Sequence, residues 1–508
     1  MNVRAVLYVI SLLVTLIGIC ILGCLPVSWF MNDSPTDMAQ LAGSGVIPAI
    51  IGILGYVIWR PKSAMSYKYQ TREGFGIVAL GWIAASLAGC IPFIFVSGFT
   101  FHDAFFETVS GFTTTGSSVI DNTLVLFDGS TLGKGLDDLP RGLIFWRSVT
   151  HWLGGMGIVV LSLAILPFLK VGGQQLFNAE ASGISKDQLA PRIASTAKIL
   201  WGVYLLLTIA EVFFLMLGGM PLFDSLCNSF GTVATGGFCN LQASIGGYDN
   251  AYFDVVITIF MFLSGCNFIL HFRALQGKAL GYFRDEELRC YFFMTVFAIF
   301  AVAYSIMGSE IITSAGKKVE GTFLNSLRYS SFQVVSLFST TGFATADFDL
   351  WPTFPRLFLV SLMFIGGCGG STSGGIKNSR MLVTFKYGIS QVSRCLFPKS
   401  VTNIRFNHER LDNSIVHKVL SFFFIYIMVF LISSFLIAIL TNTDIITATT
   451  GPVACLGGVG PGLSKVGPAC TFAWMNWPAK MVLCADMILG RLEIYTALVI
   501  FLPHFWKK

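Results

Sequence analysis

The chain has 508 residues, of which 54% are apolar and 12% are charged, and its mean hydropathy is +0.72. A soluble globule of this length cannot bury so much apolar surface, so the composition excludes that class and predicts a polytopic membrane protein. The net charge of +6 is carried by loops between apolar segments, and we do not interpret it as nucleic-acid binding.

Ten apolar segments are candidate membrane spans, since a span needs about 20 mostly apolar residues. They lie at residues 3–25, 42–59, 75–96, 143–169, 199–220, 252–271, 290–312, 354–370, 416–440 and 481–501. An even number of spans places both termini on the same side of the membrane.

Basic residues set the orientation of these spans, because short loops rich in Lys and Arg stay in the cytoplasm. The first connection carries Asp33 and Asp37 and no base. Bases instead follow every second span: Arg60, Lys62, Lys68 and Arg72, then Lys170, Lys186, Arg192 and Lys198, then Arg273, Lys278, Arg284 and Arg289, then a series from Lys377 to Lys418, then Lys507 and Lys508. We therefore expect both termini in the cytoplasm.

Four short runs of Ser, Thr and Gly interrupt the apolar sequence and end at Gly116, Gly237, Gly342 and Gly460. Their spacing of roughly 115 residues indicates one structural unit used four times. Each unit contains a span (M1), a short semi-polar segment (P), the glycine run and a second span (M2). We expect an N-terminal two-helix domain at residues 1–73 and four repeats at residues 74–192, 193–287, 288–410 and 411–508.

The semi-polar segments, at residues 101–112, 222–232, 327–337 and 445–453, are too short to cross a bilayer. At 1.5 Å per residue, such helices cover about half of a ~30 Å hydrocarbon layer. Re-entrant backbone is tolerated only where it is buried in protein or lines water. The predicted fold is therefore an all-α polytopic membrane protein, with two N-terminal helices and four M1-P-M2 repeats in a pseudo-fourfold arrangement around one central pore.

The repeats align without gaps before the last glycine of each run. Ten positions before it stand Phe106, Cys227 and Phe332, and a polar residue follows each of them: Glu107, Asn228 and Gln333. This spacing selects Gly237 rather than Gly236 as the last glycine of the second repeat. The fourth repeat diverges, with Thr450 and Gly451 at these positions and Pro461 after its glycine.

The glycine runs are the candidate cation site. The C-terminal end of a half-helix favours a cation, and the extended residues after it can turn carbonyl oxygens and Thr hydroxyls inward to replace its water shell. The candidate cation-binding residues are Thr114, Thr115, Gly116, Thr235, Gly236, Gly237, Thr340, Thr341, Gly342, Gly458, Val459 and Gly460.

A second glycine-rich run interrupts the eighth span. It contains Gly366, Gly367, Gly369, Gly370, Ser371, Thr372, Gly374 and Gly375. Each Gly costs about 1 kcal/mol relative to Ala in a helix, so this run is too flexible and too polar to continue as a lipid-facing helix. We expect it to lie buried beneath the cation site, where it can move at low cost.

Arg491 lies midway along the last span, where an uncompensated charge costs at least ~2.5–3.5 kcal/mol. We interpret it as a positive barrier to cations, and a buried ion pair with Asp486 or Glu493 is the alternative. Arg147 is interpreted as an interfacial anchor, whereas Glu211 is predicted to be paired or peripheral to the pore, with its partner open.

Two small-residue features have simpler interpretations. The sequence Gly154-Gly-Met-Gly157 is typical of close helix packing in membranes. The twelve Cys show no paired spacing and indicate no metal site, although Cys455 and Cys470 flank the fourth glycine run and a disulfide between them is left open.

These motifs resemble the Trk-type potassium uptake proteins of bacteria, specifically the TrkH/TrkG group, with KtrB subunits and plant HKT transporters as more distant relatives. The match covers essentially the whole chain. The four pore loops are similar at Ser110-Gly-Phe-Thr-Thr-Thr-Gly116, Thr232-Val-Ala-Thr-Gly-Gly-Phe238, Thr340-Thr-Gly-Phe-Ala-Thr-Ala-Asp347 and Val459-Gly-Pro-Gly-Leu463, and the inner helices at Phe145-Trp-Arg-Ser148, Gly366 to Gly375 and Leu489-Gly-Arg-Leu-Glu-Ile494. The extra pair of spans before the first repeat favours the TrkH/TrkG group over KtrB.

The resemblance implies K+ as the transported ion, no organic cofactor in this chain, and the bacterial cytoplasmic (inner) membrane as the location. It also implies a homodimer, a cytoplasmic TrkA-like nucleotide-binding regulatory subunit, and an intramembrane gate at the glycine-rich run and Arg491. In this family a Ser at the first filter glycine accompanies Na+ permeation, and Gly116 stands there. Gly457 and Gly458 depart from the family pattern, which often has Asn.

The sequence therefore predicts K+ uptake through one carbonyl-lined filter. A K+ symporter coupled to H+ or Na+ is the nearest alternative. A membrane enzyme would need clustered His or acidic residues at helix ends, but the six His are scattered along the chain without metal-ligand spacing. We expect no catalytic residues.

Overall fold

The computed structural model describes residues 2–60, 71–157, 193–398, 403–407, 409–492 and 494–506. Regular structure in these ranges is mostly helical. Two antiparallel ribbons complete it: β1 (Glu310–Ile312) pairs with β2 (Lys318–Glu320), and β3 (Arg405–Phe406) pairs with β4 (Glu409–Arg410). The basic residues 62, 68, 170, 186, 192, 399, 507 and 508, which helped to predict the topology, lie outside the described residues.

The N-terminal part forms α1 (Val3–Leu22), α2 (Leu25–Phe30) and α3 (Pro35–Ile58). Helices α1 and α3 pack closely through small residues, since a Cβ on Gly52 would lie 2.3 Å from Oγ1 of Thr15. The carboxylate of Asp33 accepts hydrogen bonds from the backbone N–H groups of Arg141 (2.9 Å) and Gly142 (2.7 Å). These bonds satisfy free donors at the start of a helix in the first repeat.

The remaining helices fall within the bounds of the four predicted repeats, except that the helix beginning at Thr71 starts three residues before the first repeat and the helix beginning at Glu286 starts two residues before the third. The first repeat contains α4 (Thr71–Gly89), α5 (Ile91–Ser97), α6 (Phe101–Phe112) and α7 (Arg141–Gly155). The second contains α8 (Ile193–Leu217), α9 (Leu222–Val233), α10 (Ala251–Ser264), α11 (Phe268–Leu275) and α12 (Gly281–Arg284). The third contains α13 (Glu286–Ile306), α14 (Phe323–Phe338), α15 (Thr353–Met363) and α16 (Asn378–Leu396). The fourth contains α17 (Asn413–Thr441), α18 (Ile445–Gly457), α19 (Trp477–Arg491), α20 (Tyr495–Leu498) and α21 (Pro503–Trp506).

Six helical segments of the described chain are long and apolar enough to cross a membrane. They are Val3–Phe30, Pro35–Ile58, Arg72–Ser97, Ala197–Leu217, Glu286–Ile306 and Asn413–Thr441, and the pair α10 and α11 passes the same test but is bent by 100°. Large apolar side chains on these segments are exposed, for example Ile51 and Phe297. The chain is therefore a multi-pass helical membrane protein, as its composition predicts.

The structure differs from ten continuous spans in the second helix of each repeat. Helices α7, α15 and α19 have only 15, 11 and 15 residues, and α10 stops at a sharp bend. Glycine explains two of these ends, because a Cβ on Gly154 would lie 1.9 Å from the carbonyl oxygen of Phe112, and one on Gly490 would lie 2.1 Å from that of Leu456. These helices end where they meet the short helices α6 and α18. Residues 158–169 of the fourth predicted span lie outside the described residues.

The four short helices α6, α9, α14 and α18 occupy the predicted semi-polar segments. The bounds of α6 agree with the prediction, α9 is one residue longer at its end, and α18 continues to Gly457. Helix α14 begins four residues earlier than predicted, because Thr322 caps its first turn by accepting from the N–H of Asn325. Each of these helices ends just before a glycine run, so all four glycine runs lie at helix C-termini.

Candidate functional site

The four segments that follow the short helices share one backbone conformation. We call them the glycine loops: residues 113–116, 234–237, 339–342 and 458–460. In each, the residue two positions before the last glycine is left-handed: φ is 54° at Thr114, 54° at Thr235, 60° at Thr340 and 65° at Gly458. The last glycines are also left-handed, with φ of 85° at Gly116, 79° at Gly237, 84° at Gly342 and 98° at Gly460. Because L side chains resist this region, three Thr held there mark strain maintained by the surrounding packing.

Neighbouring glycine loops touch in a closed cycle. A Cβ on Gly116 would lie 2.2 Å from the carbonyl oxygen of Gly236, and one on Gly237 would lie 2.1 Å from that of Thr341. The cycle continues from Gly342 to the oxygen of Val459 at 1.9 Å, and from Gly460 back to the oxygen of Thr115 at 2.8 Å. Any side chain at these glycines would collide with the next loop, so the close approach requires glycine.

The last glycines of all four loops line one cavity of about 350 Å³. Polar and small residues of the chain segments after the loops form the rest of its wall, including Ser117, Cys239, Ala344 and Pro461. The structure therefore brings the predicted cation-binding glycines together at a single place. Two of the loops also carry a hydroxyl pair on the helix side, Thr113 with Thr115 at 2.8 Å and Ser339 with Thr341 at 2.7 Å.

The polar residue that the sequence alignment places nine positions before each glycine holds the chain after the loop. The carboxylate of Glu107 accepts from the N–H of Val119 (2.9 Å), and the amide oxygen of Asn228 accepts from the thiol of Cys239 (Sγ to Oδ1 3.3 Å). Gln333 contacts Oγ1 of Thr345 at 3.4 Å. These side chains anchor the extended strand that follows each glycine.

The fourth repeat achieves the same anchoring from a shifted position. Gly451 has no side chain to offer, but the preceding Thr450 accepts through Oγ1 from the N–H of Leu463 at 3.0 Å. The divergence that the sequence shows in the fourth repeat is thus compensated by its neighbour. The residue types differ, whereas the bond from the short helix to the strand beyond the glycine is kept.

Arg147 is buried and is one of the residues that line the cavity at the last glycines, so its interpretation as an interfacial anchor is wrong. Its residue is 3% exposed, its Nε donates to Glu107 at 2.7 Å, and its Nη1 donates to the carbonyl oxygen of Cys239 at 2.9 Å. The guanidinium also lies 3.5 Å from the ring centroid of Phe238. Arg147 therefore joins the anchors of the first and second glycine loops through a charge-assisted hydrogen bond and a cation–π contact.

The ring of Phe238 is held on its other side by His151, at a centroid distance of 4.0 Å. The Nδ1 of His151 is 2.7 Å from the carbonyl oxygen of Gly111, and a Cβ on Gly236 would lie 2.5 Å from the imidazole ring. The sequence alone did not indicate this cluster of Glu107, Arg147 and His151. The polar position at Glu107 was its only visible sign, because the partners come from α7, which is distant in sequence.

Beyond the third glycine loop, the chain leaves the membrane-spanning segments. The carboxylate of Asp347 accepts from the N–H of Asp349 at 3.2 Å and so caps a short 3-10 turn. Burial raises the pKa of Asp347 above its usual range. Neither Asp347 nor any other carboxylate is among the residues that form the cycle of contacts between glycine loops in the described chain.

The glycine-rich run lies directly beneath the glycine loops. We call residues 364–377 the glycine-rich segment. It follows the end of α15 and contacts the third glycine loop, where the N–H of Gly374 donates to Oγ1 of Thr340 (2.6 Å). It also contacts the ends of α9 and α18. Oγ1 of Thr372 donates to the carbonyl oxygen of Val233 (3.0 Å), and a Cβ on Gly374 would lie 2.4 Å from the oxygen of Gly457. Its two ends pair with each other, since the N–H of Gly366 donates to the oxygen of Ile376.

Arg491 links this segment to the first repeat. Its Nη1 donates to the carbonyl oxygen of Thr372 (2.8 Å), and its Nη2 donates to those of Gly154 (2.6 Å) and Gly155 (2.8 Å). The glycines at 154 and 155 thus pack closely, as predicted, and also present carbonyl oxygens to the guanidinium. Together with Arg491, the glycine-rich segment contacts all four repeats.

Of the two acidic residues predicted as alternative partners of Arg491, the structure describes only Asp486. The carboxylate of Asp486 accepts from Oγ of Ser433 at 2.6 Å, and Glu493 lies outside the described residues. Glu211 is fully buried beside the hydroxyl of Thr232, and no ion pair to its carboxylate is present among the described residues. Cys455 is buried and Cys470 is exposed, and both are free thiols.

Two further ion pairs join neighbouring repeats; the first is buried, and in the second Asp254 is buried while the side chain of Arg328 is 25% exposed. Nζ of Lys480 is 2.6 Å from the carboxylate of Asp103, which connects α19 to α6. Nη2 of Arg328 is 2.7 Å from the carboxylate of Asp254, which connects α14 to α10. These pairs satisfy charges that would be costly if left alone in a membrane.

Comparison with known proteins agrees with this arrangement. The family model described as TrkH, cation transport protein, matches residues 47–508. The Trk system potassium uptake protein TrkH of Salmonella typhimurium is 42% identical over 459 residues, 90% of each chain, and the Trk system potassium uptake protein TrkG of Escherichia coli is 33% identical over 513 residues, 100% of this chain and 99% of that one. The crystal structure of the potassium transporter TrkH from Vibrio parahaemolyticus aligns with a TM-score of 0.85 at 32% identity, covering 100% of both chains. This chain therefore belongs to the TrkH family of cation transport proteins.

Proposed function

We propose that this chain takes up K+ across the cytoplasmic membrane through a single selectivity filter formed by the four glycine loops. The closed cycle in which each glycine abuts the carbonyl oxygen of the next loop carries this proposal. The names of the similar Salmonella, Escherichia and Vibrio proteins support K+ as the ion.

The carbonyl oxygens before and within the loops replace the water shell of the ion. Backbone carbonyls are suited to a weakly hydrated cation, because they offer partial charge without the strong binding that would prevent release. The C-termini of α6, α9, α14 and α18 add their partial negative charge at the same place. Left-handed φ at the glycines fixes the direction of these carbonyls.

The glycine-rich segment and Arg491 form the gate on the predicted cytoplasmic side of this filter. The segment lies beneath the loops, and the guanidinium places a positive charge beside it. A cation leaving the filter would meet both the backbone of the segment and this charge. Movement of the segment away from the loops would open the path.

The wider assembly follows the family resemblance. We propose five parts, with a two-helix N-terminal domain and four repeats around one pore, and both termini in the cytoplasm. A homodimer that binds a cytoplasmic TrkA-like nucleotide-binding subunit would regulate the gate. The potassium ion is the substrate and no organic cofactor is required.

Coupling of K+ to H+ or Na+ is the alternative function. The observation that favours it is Glu211, a fully buried carboxyl group that lies beside Thr232 and has no ion-pair partner among the described residues, which could hold a proton. Reversal potentials measured in a bilayer distinguish the two functions. A shift with pH or Na+ at fixed K+ supports coupling, and a potential that follows K+ alone supports a channel.

The test of the proposed function is growth on low K+ of a cell that lacks its own uptake systems. The wild-type chain, expressed with a cognate regulatory subunit, should restore growth, and Gly116→Ser should lower the preference for K+ over Na+. Failure of the wild type to restore growth would contradict K+ uptake. Unchanged selectivity in Gly116→Ser would contradict the assignment of the filter.

A further inference from the structure

The first turn of α13 holds both the glycine-rich segment and the start of α16, which follows it. Glu287 is 6% exposed, and its Oε1 accepts from the backbone N–H groups of Gly369 (2.7 Å) and Ser379 (2.7 Å). The side chain of Asn378 donates to the carbonyl oxygen of Glu287 at 3.2 Å. One buried carboxylate thus fixes two points that are ten positions apart in the chain and encloses the residues between them.

The residues beside Glu287 are tied to the β3–β4 hairpin. Asn407, at the turn of this hairpin with φ of 48°, accepts from the N–H of Glu286 (2.8 Å) and donates to the carboxylate of Asp285 (2.9 Å). Lys386 donates to the carboxylate of Glu286 (2.6 Å) and to the carbonyl oxygen of Arg405 (2.8 Å). The position of Glu287 is therefore set from the hairpin as well as from α13.

Two hydrogen bonds to a charged acceptor hold a segment more firmly than neutral ones do. Removing the carboxylate would leave the N–H groups of Gly369 and Ser379 buried without this acceptor, which favours their movement toward water. The remaining backbone of the segment is rich in glycine and opposes such movement only weakly. Glu287 is thus placed to decide how long the segment stays beneath the filter.

We propose that Glu287 is a positioning residue that holds the glycine-rich segment in its blocking position, and that Asn407 controls Glu287 from the hairpin. This inference rests on the proposed gate, because it assigns the residue that keeps that gate shut. Because Asn407 forms hydrogen bonds with residues 285 and 286, a displacement of the hairpin would move Glu287 and thereby the gate.

A native reporter of the segment is available in Cys368. Its residue is 1% exposed, and its N–H donates to the carbonyl oxygen of Gly265 at 2.8 Å. Cys395 and Cys470 are exposed and lie away from the segment, so they serve as internal references. Site-resolved thiol labelling, read by mass spectrometry of the full-length protein in phosphatidylethanolamine and phosphatidylglycerol vesicles, measures movement without measuring transport.

We expect Glu287→Ala to raise the labelling rate of Cys368 by about tenfold relative to Cys395, which corresponds to ~1.4 kcal/mol. Asn407→Ala should raise the labelling rate of Cys368 less than Glu287→Ala does. Glu287→Gln should raise it least of the three, because its amide oxygen still accepts hydrogen bonds. Rubidium tracer influx into the same vesicles should rise in the same order. The matched control is Glu73→Ala, since Glu73 is also buried in the first turn of a helix and accepts a backbone N–H, that of Asn2 at 2.8 Å.

The proposal is overturned if Cys368 stays protected in Glu287→Ala, or if Glu73→Ala exposes it equally. Should Glu287→Ala fail to fold, the same comparison with Glu287→Gln and Asn407→Ala decides, and unchanged labelling of both rejects the role. Absence of tracer influx in the wild type together with faster labelling in Glu287→Ala would reject K+ uptake and retain the positioning role. The two failures are therefore distinguishable.

Discussion

The last glycine of each glycine loop must satisfy two separate constraints, a left-handed backbone and close contact with the next loop. Gly342 has φ of 84°, which an L side chain resists, and it also abuts the carbonyl oxygen of Val459. Gly316, in the turn between β1 and β2, has nearly the same φ of 82° but open space around it. The pair separates the cost of the backbone conformation from the cost of the collision.

We expect Gly342→Ala to abolish K+ uptake, whereas Gly316→Ala should keep it. Both changes introduce strain of about 1–2 kcal/mol from the left-handed backbone, but only the first displaces a carbonyl of the next loop. Uptake by vesicles and thermal stability, measured on both variants, check this. Equal loss of uptake in the two would show that backbone strain alone accounts for the effect.

The fourth loop meets its backbone constraint with a different residue. Gly458 occupies the left-handed position that Thr114, Thr235 and Thr340 occupy in the other loops. A Cβ there would have its nearest contact at 3.8 Å, the Cα of Gly374. The backbone conformation, rather than a lack of space, therefore decides which residue can stand at position 458. Gly and Asn adopt left-handed φ most easily, and Asn is the residue that the family often has in this run.

Arg147 is the residue whose loss should widen the filter. Removing one partner of a buried ion pair costs about 3–5 kcal/mol, because the other charge is left unpaired. Arg147→Gln would leave Glu107 without its cation and free the strand at Cys239, so we expect a lower permeability ratio of K+ to Na+. Bi-ionic reversal potentials measure this ratio.

The control for Arg147 is Arg328→Gln, which breaks another ion pair with a buried carboxylate, that of Asp254. Both variants should lose thermal stability, but only Arg147→Gln should change selectivity, because Arg328 has no hydrogen bond to the strands after the glycine loops among its described contacts. A selectivity change of the same size in both variants would mean that Arg147 acts only through general stability.

At the scale of elements, the second helix of each repeat ends or bends early, and this brings flexible backbone beneath the glycine loops. Helices α7, α15 and α19 all stop near the ends of the short helices, and α10 bends there. The carbonyl oxygens freed at the end of α7 are used by Arg491, which also binds the glycine-rich segment. An interrupted helix thus supplies the acceptors that a buried guanidinium needs.

We expect Arg491→Ala to raise the basal influx of K+ several-fold, because the positive charge is lost together with the three hydrogen bonds that join the segment to the first repeat. Arg491→Lys should raise the influx less, because Lys keeps the positive charge. Its ammonium group lacks the planar guanidinium that donates to both Thr372 and Gly154. Tracer influx without the regulatory subunit measures this. Arg289→Ala, at the exposed start of α13, is the control, and influx in Arg491→Ala no higher than in this control would contradict the barrier.

At the scale of the whole molecule, the N-terminal helices share one hydrophobic core with the first repeat. Helices α1 and α3 approach closely through small residues, and Asp33 attaches them to the start of α7. The buried side chains of α1 and α3 belong to the same core as Phe112 of the first repeat, whereas Phe332 and Phe343 of the third repeat belong to another core. We therefore expect changes between α1 and α3 to alter stability and to leave ion selectivity unchanged.

Gly52→Leu tests this expectation against Gly43→Leu on the same helix. A Cβ at position 52 would lie 2.5 Å from the backbone N of Thr15, whereas one at position 43 would meet nothing within 4 Å. We expect Gly52→Leu to lower the melting temperature through overpacking of about 1–3 kcal/mol or more, and Gly43→Leu to have little effect. Changed selectivity in Gly52→Leu would show that the pair is coupled to the filter.

The sequence by itself determined the membrane class, the four short helices and the candidate glycines. Apolar length, helix rise and the spacing of glycine are local properties, so residues such as Gly237 and the bounds of α6 can be predicted without knowing their neighbours. The resemblance to Trk-type proteins rests on the same local motifs.

Only the tertiary structure decided which groups face one another. It moved Arg147 from a predicted interfacial anchor to a buried partner of Glu107 and Phe238, and it placed the carbonyls of Gly154 and Gly155 around Arg491. It also showed that Thr450 replaces the missing side chain at Gly451. These contacts join residues that are distant in sequence, and a buried charge selects its partner by distance and desolvation, which no local pattern of residues records.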